Sequence, residues 1–262
     1  MAKPLFYKRM PQHHEAREKK LEKKLPRTRK EAIALLRQSV AAEEILWPRE
    51  LALVLWHLGT IKVGQFTDMA AHKDLPLLRS PCPIKFDQSG LPKDVNGLLG
   101  TDLGLVYRSY IHRPRTRGIA VVGIPDRGAA LAEGFASAFP GAVKLTLKES
   151  EEGFELVEGD QRDLVVIIVD NAASTGLTAE KAVLAVRQSW SKMLVHDVVV
   201  LMDCEEGAKE RLAEMSPRVR LVAASRLRTI VGFLEEASLI DLVVRSQLAV
   251  YHEAVRQVIA RS

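Results

Sequence analysis

Residues 165–178 read Val165-Val166-Ile167-Ile168-Val169-Asp170-Asn171-Ala172-Ala173-Ser174-Thr175-Gly176-Leu177-Thr178. An unbroken apolar run is the pattern of a strand buried on both faces. It predicts a strand over 164–169 that delivers Asp170 to its carboxyl end, where a carboxylate can accept hydrogen bonds from vicinal sugar hydroxyls. Ser174, Thr175 and Thr178 bring hydroxyls, and Gly176 lets the backbone turn closely around a ligand. The helix expected from residue 178 presents unpaired N–H groups to an anion. An acid, a hydroxyl-rich turn and a helix N-terminus together suit a sugar phosphate. The same residues also fit an ordinary strand-to-helix connection, with Ser and Thr capping the helix and Asp170 satisfying nearby backbone donors. Both readings stand at this point.

The elements that would hold this loop follow from the apolar periodicity. Short apolar strands are expected at 119–122, 143–147, 164–169, 197–202 and 220–224, alternating with helices at 129–139, 178–188 and 206–215. That alternation predicts an α/β fold with a mostly parallel central sheet flanked by helices. Ligands of such sheets sit beyond the carboxyl ends of the strands, where the loops after Val122, Val169 and Met202 gather. Ahead of the sheet, Ala32, Ala34, Leu35, Leu36 and Val40 recur at helical spacing, and a second helix is expected over 48–58. These helices form an N-terminal extension. Between 59 and 117, Pro76, Pro81, Pro83 and Pro92 break the pattern into hairpins and loops, with one helix near 97–110. The charged stretch 149–163 reads as a solvated surface excursion. The chain thus divides into a basic arm (1–30), helices packing on the body (31–58) and an α/β domain with C-terminal helices (59–262).

Composition narrows the function classes. Of the 262 residues, 47% are hydrophobic and 27% charged, ordinary values for a globular chain. No apolar run approaches the roughly 18–20 residues of a membrane span, and no secretory leader is visible. Cys82 and Cys204 fit no metal spacing and suit a reducing compartment, so a soluble cytoplasmic protein is expected. The net charge of +5 is uneven: residues 1–31 hold 11 Lys/Arg against 4 Asp/Glu, a net +7, which leaves −2 for the remainder. A helix over 14–24 or a disordered arm fits that segment, and nucleic-acid binding is confined to it as a weak possibility. His57, His112, His196 and His252 have no partners at metal or triad spacing and read as packing or surface residues. Trp47, Trp56 and Trp190 read as helix-packing residues. The absence of G-x-G-x-x-G and G-x-x-x-x-G-K-[ST] argues against a nicotinamide enzyme and a P-loop ATPase.

The 165–178 stretch resembles the phosphoribosyl-pyrophosphate signature of type I phosphoribosyltransferases, and the chain is similar to the orotate phosphoribosyltransferases in particular over about 59–234. Gly59-Thr60-Ile61-Lys62-Val63-Gly64-Gln65-Phe66-Thr67 resembles that family's early element. Val122-Gly123-Ile124-Pro125-Asp126-Arg127-Gly128 resembles its pyrophosphate loop, and the segment 199–208 resembles the strand and turn after its ribose motif. The resemblance implies transfer of ribose 5-phosphate from phosphoribosyl pyrophosphate to a nitrogenous base, orotate being favoured. Asp170 would bind the ribose hydroxyls, with Asn171, Ala172 and Ala173 beside it. Ser174, Thr175, Gly176, Leu177 and Thr178 would hold the 5′-phosphate, and Arg127 would touch the pyrophosphate. Mg²⁺ would be held mainly through the substrate, and a homodimer is implied. Bottom-up chemistry agrees, because a departing pyrophosphate needs its charge neutralised and an oxocarbenium-like ribose needs no protein nucleophile.

Three departures from the family pattern bear on activity. The second acid of the signature is Asn171, which can hydrogen-bond a hydroxyl but carries no charge. The family's lysine after the Phe-Thr pair is missing, and Lys73 or His72 is left to take its place. The segment matching the family's basic catalytic loop, 148–159, keeps Lys148 alone against Glu149, Glu151, Glu152, Glu155 and Glu158. Like charges about 4 Å apart cost roughly 1–4 kcal/mol at effective dielectrics of 80 to 20, so such a loop would repel pyrophosphate. Lys148 and Asp170 are the candidate catalytic residues. The competing function is a non-catalytic phosphoribosyl-pyrophosphate or nucleotide-binding regulator with a basic arm.

Overall fold

The computed structural model describes residues 25–111, 118–151, 153–158, 164–189 and 194–261. Most of the basic arm, including the expected helix at 14–24, lies outside these, as do His112 and Trp190. The described chain opens with α1 (Arg29–Ala41) and α2 (Pro48–His57). Thr28 caps α1 by accepting the N–H of Glu31 at 3.2 Å. At α2, Pro48 occupies the first turn, and the Glu50 carboxylate turns back to accept the Trp47 N–H at 2.8 Å. Helix α1 packs on α2 and on the later helix at 93–110.

Next comes a two-stranded antiparallel hairpin, β1 (Ile61–Phe66) and β2 (Cys82–Phe86), enclosing the short helix α3 (Ala70–Asp74). Helix α4 (Lys93–Tyr110) then leads into the main sheet. The strands of that sheet are β3 (Gly118–Gly123), β4 (Val143–Ser150), β5 (Gly153–Glu158), β6 (Leu164–Ala173), β7 (Leu194–Asp203) and β8 (Arg220–Arg226). They lie in the order β5-β4-β3-β6-β7-β8, all parallel except β5. Helices α5 (Arg127–Ser137), α6 (Leu177–Ser189) and α7 (Ala208–Glu214) make the crossovers. Two C-terminal helices, α8 (Leu227–Glu236) and α9 (Leu242–Ile259), complete the chain.

Alternation along the strands divides the core in two. On β6, Ile167 and Val169 face α4, α5, the β1–β2 hairpin and the C-terminal helices. Val166 and Ile168 face α6 and α7. All four are completely buried, and burying each aliphatic side chain is worth about 1.5–3 kcal/mol. This two-sided burial is why the run at 164–169 is legible as an interior parallel strand.

Two expectations are corrected. The charged stretch after β4 is not simply a surface excursion, since β5 forms an antiparallel edge strand there, with Leu147 opposite Leu156 and Glu149 opposite Phe154. Phe154 and Leu156 turn onto the core, while Glu155 and Val157 are exposed. An edge strand buries only every second residue, so a glutamate, Glu155, is tolerated between Phe154 and Leu156. Strand β6 also continues past Val169 to Ala173, because its ladder to β7 persists, with Asp170 opposite Val200 and Ala173 opposite Asp203. The expected loop 170–176 is therefore strand for four residues and a turn only at 174–176.

Candidate functional site

Crossover direction changes between β3 and β6: β4 follows β3 to one side, while β6, β7 and β8 build outward on the other. Loops leaving the carboxyl ends of β3 and β6 diverge at such a switch point and leave a crevice. Here the crevice is a cavity of about 530 Å³. Its walls include every expected binding residue: Lys73, Arg127, Asp170, Asn171, Ala172, Ala173, Ser174, Thr175, Gly176, Leu177 and Thr178. Lys148 is not among them. It is exposed on β4, paired in register with Glu155 of the edge hairpin, so the structure does not bring the two candidate catalytic residues together.

The first wall is the loop 124–126. Ile124 N–H donates to the Val169 carbonyl at 3.0 Å, tying the loop to β6. Arg127 N–H donates to the Pro125 carbonyl at 3.1 Å, closing a γ-turn on Asp126, whose φ is 68° and ψ −86°. A non-glycine residue in that region stores strain. It starts α5 abruptly, with Arg127 at its first position beside the cavity. The Arg127 guanidinium is about half exposed and only loosely paired with Asp87, at 3.9 Å. Gly128 is required by close approach, because a β-carbon there would lie 2.5 Å from the Val169 carbonyl oxygen and 3.3 Å from the Asp170 carboxylate.

Opposite stands β6 and its turn. Asp170 Oδ1 accepts the Asn171 N–H at 2.7 Å. Burial pushes the Asp170 carboxyl up to about 7, against the opposing pull of that N–H and of the Arg127 charge. Gly176 has φ +84°, and a β-carbon there would meet Ala208 Cα at 2.8 Å, so the turn is pressed against α7. Behind it, Arg211 Nε donates to the Thr175 carbonyl at 3.0 Å, and the Ala208 N–H donates to the Ser174 carbonyl at 3.1 Å. The amino end of α6 opens on the cavity, with the Leu177 N–H donating to Thr175 Oγ1 at 3.5 Å.

The turn hydroxyls are already engaged. Ser174 donates to Glu206 Oε2, and Thr175 donates to Asp74 Oδ2. Glu206 Oε1 also accepts the Tyr251 hydroxyl at 2.9 Å. Burial pushes the Glu206 carboxyl up to about 7; the hydrogen bonds from Ser174 and Tyr251 pull it down, and the nearby Asp203 and Asp74 raise it further. Only Thr178 keeps an exposed position on the rim.

The hairpin forms the remaining wall with Asp68, Met69, Ala70, Lys73, Asp74, Lys85 and Phe86. Lys85 pairs with Asp68, whose carboxyl is held below the usual range by that hydrogen bond. His72, the alternative to Lys73, is directed elsewhere, its Nε2 donating to the Ser80 carbonyl at 2.9 Å. Sequence reasoning missed Lys85, Asp68, Asp74 and Glu206 as site residues. No spacing marks them, since Asp74 and Thr175 are 101 positions apart; only the acid cluster at 203–206 was a visible signal.

Several chemistries are excluded or favoured by these groups. Burial pushes the Cys82 thiol up to about 12 and raises Cys204 as well, so neither supplies a thiolate. Among the described residues no three His, Cys, Asp or Glu side chains gather as a metal cage. Asp170 and Asn171 are instead adjacent oxygen donors on the cavity wall, a set that fits a hard divalent cation carried chiefly by phosphate oxygens. Cations at Arg127, Lys73 and Lys85 ring a crevice that also holds the carboxylates of Asp68, Asp74 and Asp170 and a helix N-terminus. The arrangement can hold a polyanionic sugar phosphate.

No family model matches the chain. Among curated proteins it is 40% identical over 86 residues to the orotate phosphoribosyltransferase of Staphylothermus marinus, covering 33% of this chain and 40% of that protein. It is 28% identical over 124 residues to that of Sulfurisphaera tokodaii, covering 46% and 61% respectively. The matched stretches thus span less than two thirds of either relative. The crystal structure of orotate phosphoribosyltransferase from Aeropyrum pernix superimposes with a TM-score of 0.55 at 27% identity, covering 72% of this chain and 99% of that one. Over these stretches the chain is similar to orotate phosphoribosyltransferases, and its fold is that of the phosphoribosyltransferase structure on which it superimposes.

Proposed function

We propose that the chain binds phosphoribosyl pyrophosphate in the crevice between β3 and β6 and transfers ribose 5-phosphate to a nitrogenous base, with orotate favoured by its relatives. The observation that carries this reading is the convergence of Arg127, Asp170 and the turn 174–178 on one cavity. A ring nitrogen of the base bonds to the anomeric carbon of the ribose as the bond from that carbon to pyrophosphate oxygen breaks; pyrophosphate leaves with the bonding electron pair, and the nitrogen's proton passes to water. Asp170, once ionised, accepts the ribose hydroxyls and steadies the positive charge growing on the sugar. The turn and the first N–H groups of α6 hold the 5′-phosphate. Arg127, Lys73 and Lys85 offset the charge of the leaving group. Mg²⁺ bound through the substrate would rest on Asp170 and Asn171 and supply further neutralisation. No protein nucleophile is needed.

Lys148 fits this scheme as a residue serving the site of a neighbouring copy, which makes a cytoplasmic homodimer part of the proposal. A second reading, a ligand-binding regulator without turnover, is favoured by Asn171 in place of an acid and by the distance of Lys148 from the cavity wall. A turnover assay with phosphoribosyl pyrophosphate, Mg²⁺ and a panel of bases separates the two. Pyrophosphate release with orotate supports the enzyme. Binding without release supports the regulator.

A further inference from the structure

Thr175 is almost wholly buried, and its hydroxyl has one proton to donate. That proton goes to Asp74, the last residue of the hairpin helix α3. Ser174, the neighbouring hydroxyl, is given to Glu206 in the same way. A phosphate entering the turn would therefore find both hydroxyls taken. It would also meet the Asp74 carboxylate, which lines the same cavity as Lys73, Lys85 and the turn. Hydroxyl-to-carboxylate hydrogen bonds are strong where one partner is charged, so the contact is not given up without a better acceptor.

We infer that Asp74 is a built-in competitor for the anion site: its carboxylate stands where a ligand phosphate would accept the Thr175 hydroxyl, and it must withdraw for that phosphate to bind. This rests on the reading of the turn as a phosphate site and adds a regulatory contact to it. The same bond ties the end of α3 to the turn, and binding releases that contact. Lys73 and Lys85, on the same wall of the cavity, then face the ligand with charges that favour the anion that Asp74 opposes. In the sequence this carboxylate directly follows Lys73, so one short helix carries both the attraction and the block.

The test is calorimetric titration of the full chain with ribose 5-phosphate, comparing Asp74→Asn and Asp74→Ala with the unmodified protein. Asparagine keeps an acceptor for Thr175 and removes only the charge. It should tighten binding by roughly five- to tenfold, the scale of one close like-charge contact near water. The gain should shrink as ionic strength rises. Alanine also frees the hydroxyl and should bind at least as tightly as the asparagine variant. If Asp74 merely clamps the hairpin, alanine weakens binding and asparagine leaves it unchanged, and the inference is overturned. Should the unmodified chain bind while neither variant gains, the competitor role fails but the phosphate site stands. Absence of binding in all three would overturn both. The near-isosteric asparagine variant decides the matter if the alanine variant fails to fold.

Discussion

Strand β7 carries a buried acid near its amino end, and other acids gather around the carboxyl ends of β6 and β7; the two regions treat their carboxylates differently. At the amino end, Asp197 receives two hydrogen bonds from Arg220, at 2.7 and 3.0 Å, and one from Tyr107. Helix α4 and strand β8 each supply a side-chain donor. At the carboxyl end, Asp170 has a single backbone donor and a distant guanidinium, and Glu206 has two neutral hydroxyls. Burial lifts both of these to about 7. The contrast teaches where partners are missing: the same sheet satisfies its acid fully where the role is structural and leaves acids short of charge where a ligand is expected to complete the set.

The largest effect that would break this contrast is on stability. Asp197→Ala strands the Arg220 charge and Tyr107 beside an empty site and should cost about 3 kcal/mol, toward the low end for broken buried pairs because Arg220 is half exposed. Denaturant unfolding measures it, and a cost below about 0.5 kcal/mol would mean the amino-end network holds little. Next in size, Asp170→Ala should weaken phosphoribosyl-pyrophosphate binding by roughly ten- to a hundredfold, the value of hydrogen bonds to a charged group. Its unfolding free energy should be unchanged or higher at pH 8. Unchanged affinity by calorimetry would show that the site is misplaced.

The pH profile sharpens the comparison further. Asp102, Asp170 and Glu206 titrate near 7 in the folded chain, all raised chiefly by burial, while in the unfolded chain they titrate near 4. Between those values the folded state holds more protons. Stability should thus fall as pH rises from about 4 to about 7 and level off above; thermal melts that rise across that window would contradict it. Asp102 is fully buried in α4 with Oδ1 accepting the Leu46 N–H at 2.8 Å and Oδ2 unpartnered. Asp102→Asn should flatten part of the slope without touching ligand affinity. The smallest effect is expected from removing residues 1–24, which should leave ribose 5-phosphate binding unchanged by the same calorimetry.

Much of the scaffold was legible because burial on both faces writes itself into sequence. The run 164–169 has one interpretation once helices flank it, and the residue delivered at its end, Asp170, does line the cavity. Legibility stops where polar residues continue a ladder. Asp170 and Asn171 end the apolar run but not the pairing with β7, so the turn proved shorter than expected. Strand β5 was hidden by its glutamates, since only Phe154 and Leu156 report its buried face. Asp74 and Glu206 were hidden for another reason: they act on Thr175 and Ser174 across folds of chain that no local spacing encodes. Lys148 rested on the resemblance of 148–159 to the family's catalytic loop, and the geometry of the β4–β5 hairpin sets it apart from the cavity.

Gly128 ties two parts of the pocket into one inheritable unit. The first turn of α5 rests directly on the backbone of Val169 and Asp170, so the loop that carries Arg127 and the strand that carries Asp170 share a single surface of contact. A methyl group at this position would shift both together, and neither half can be re-tuned for a different ligand by moving the other's backbone out of the way. Divergence in this scaffold is thereby channelled toward the hairpin side chains that touch the crevice away from that seam, Lys73 and Lys85.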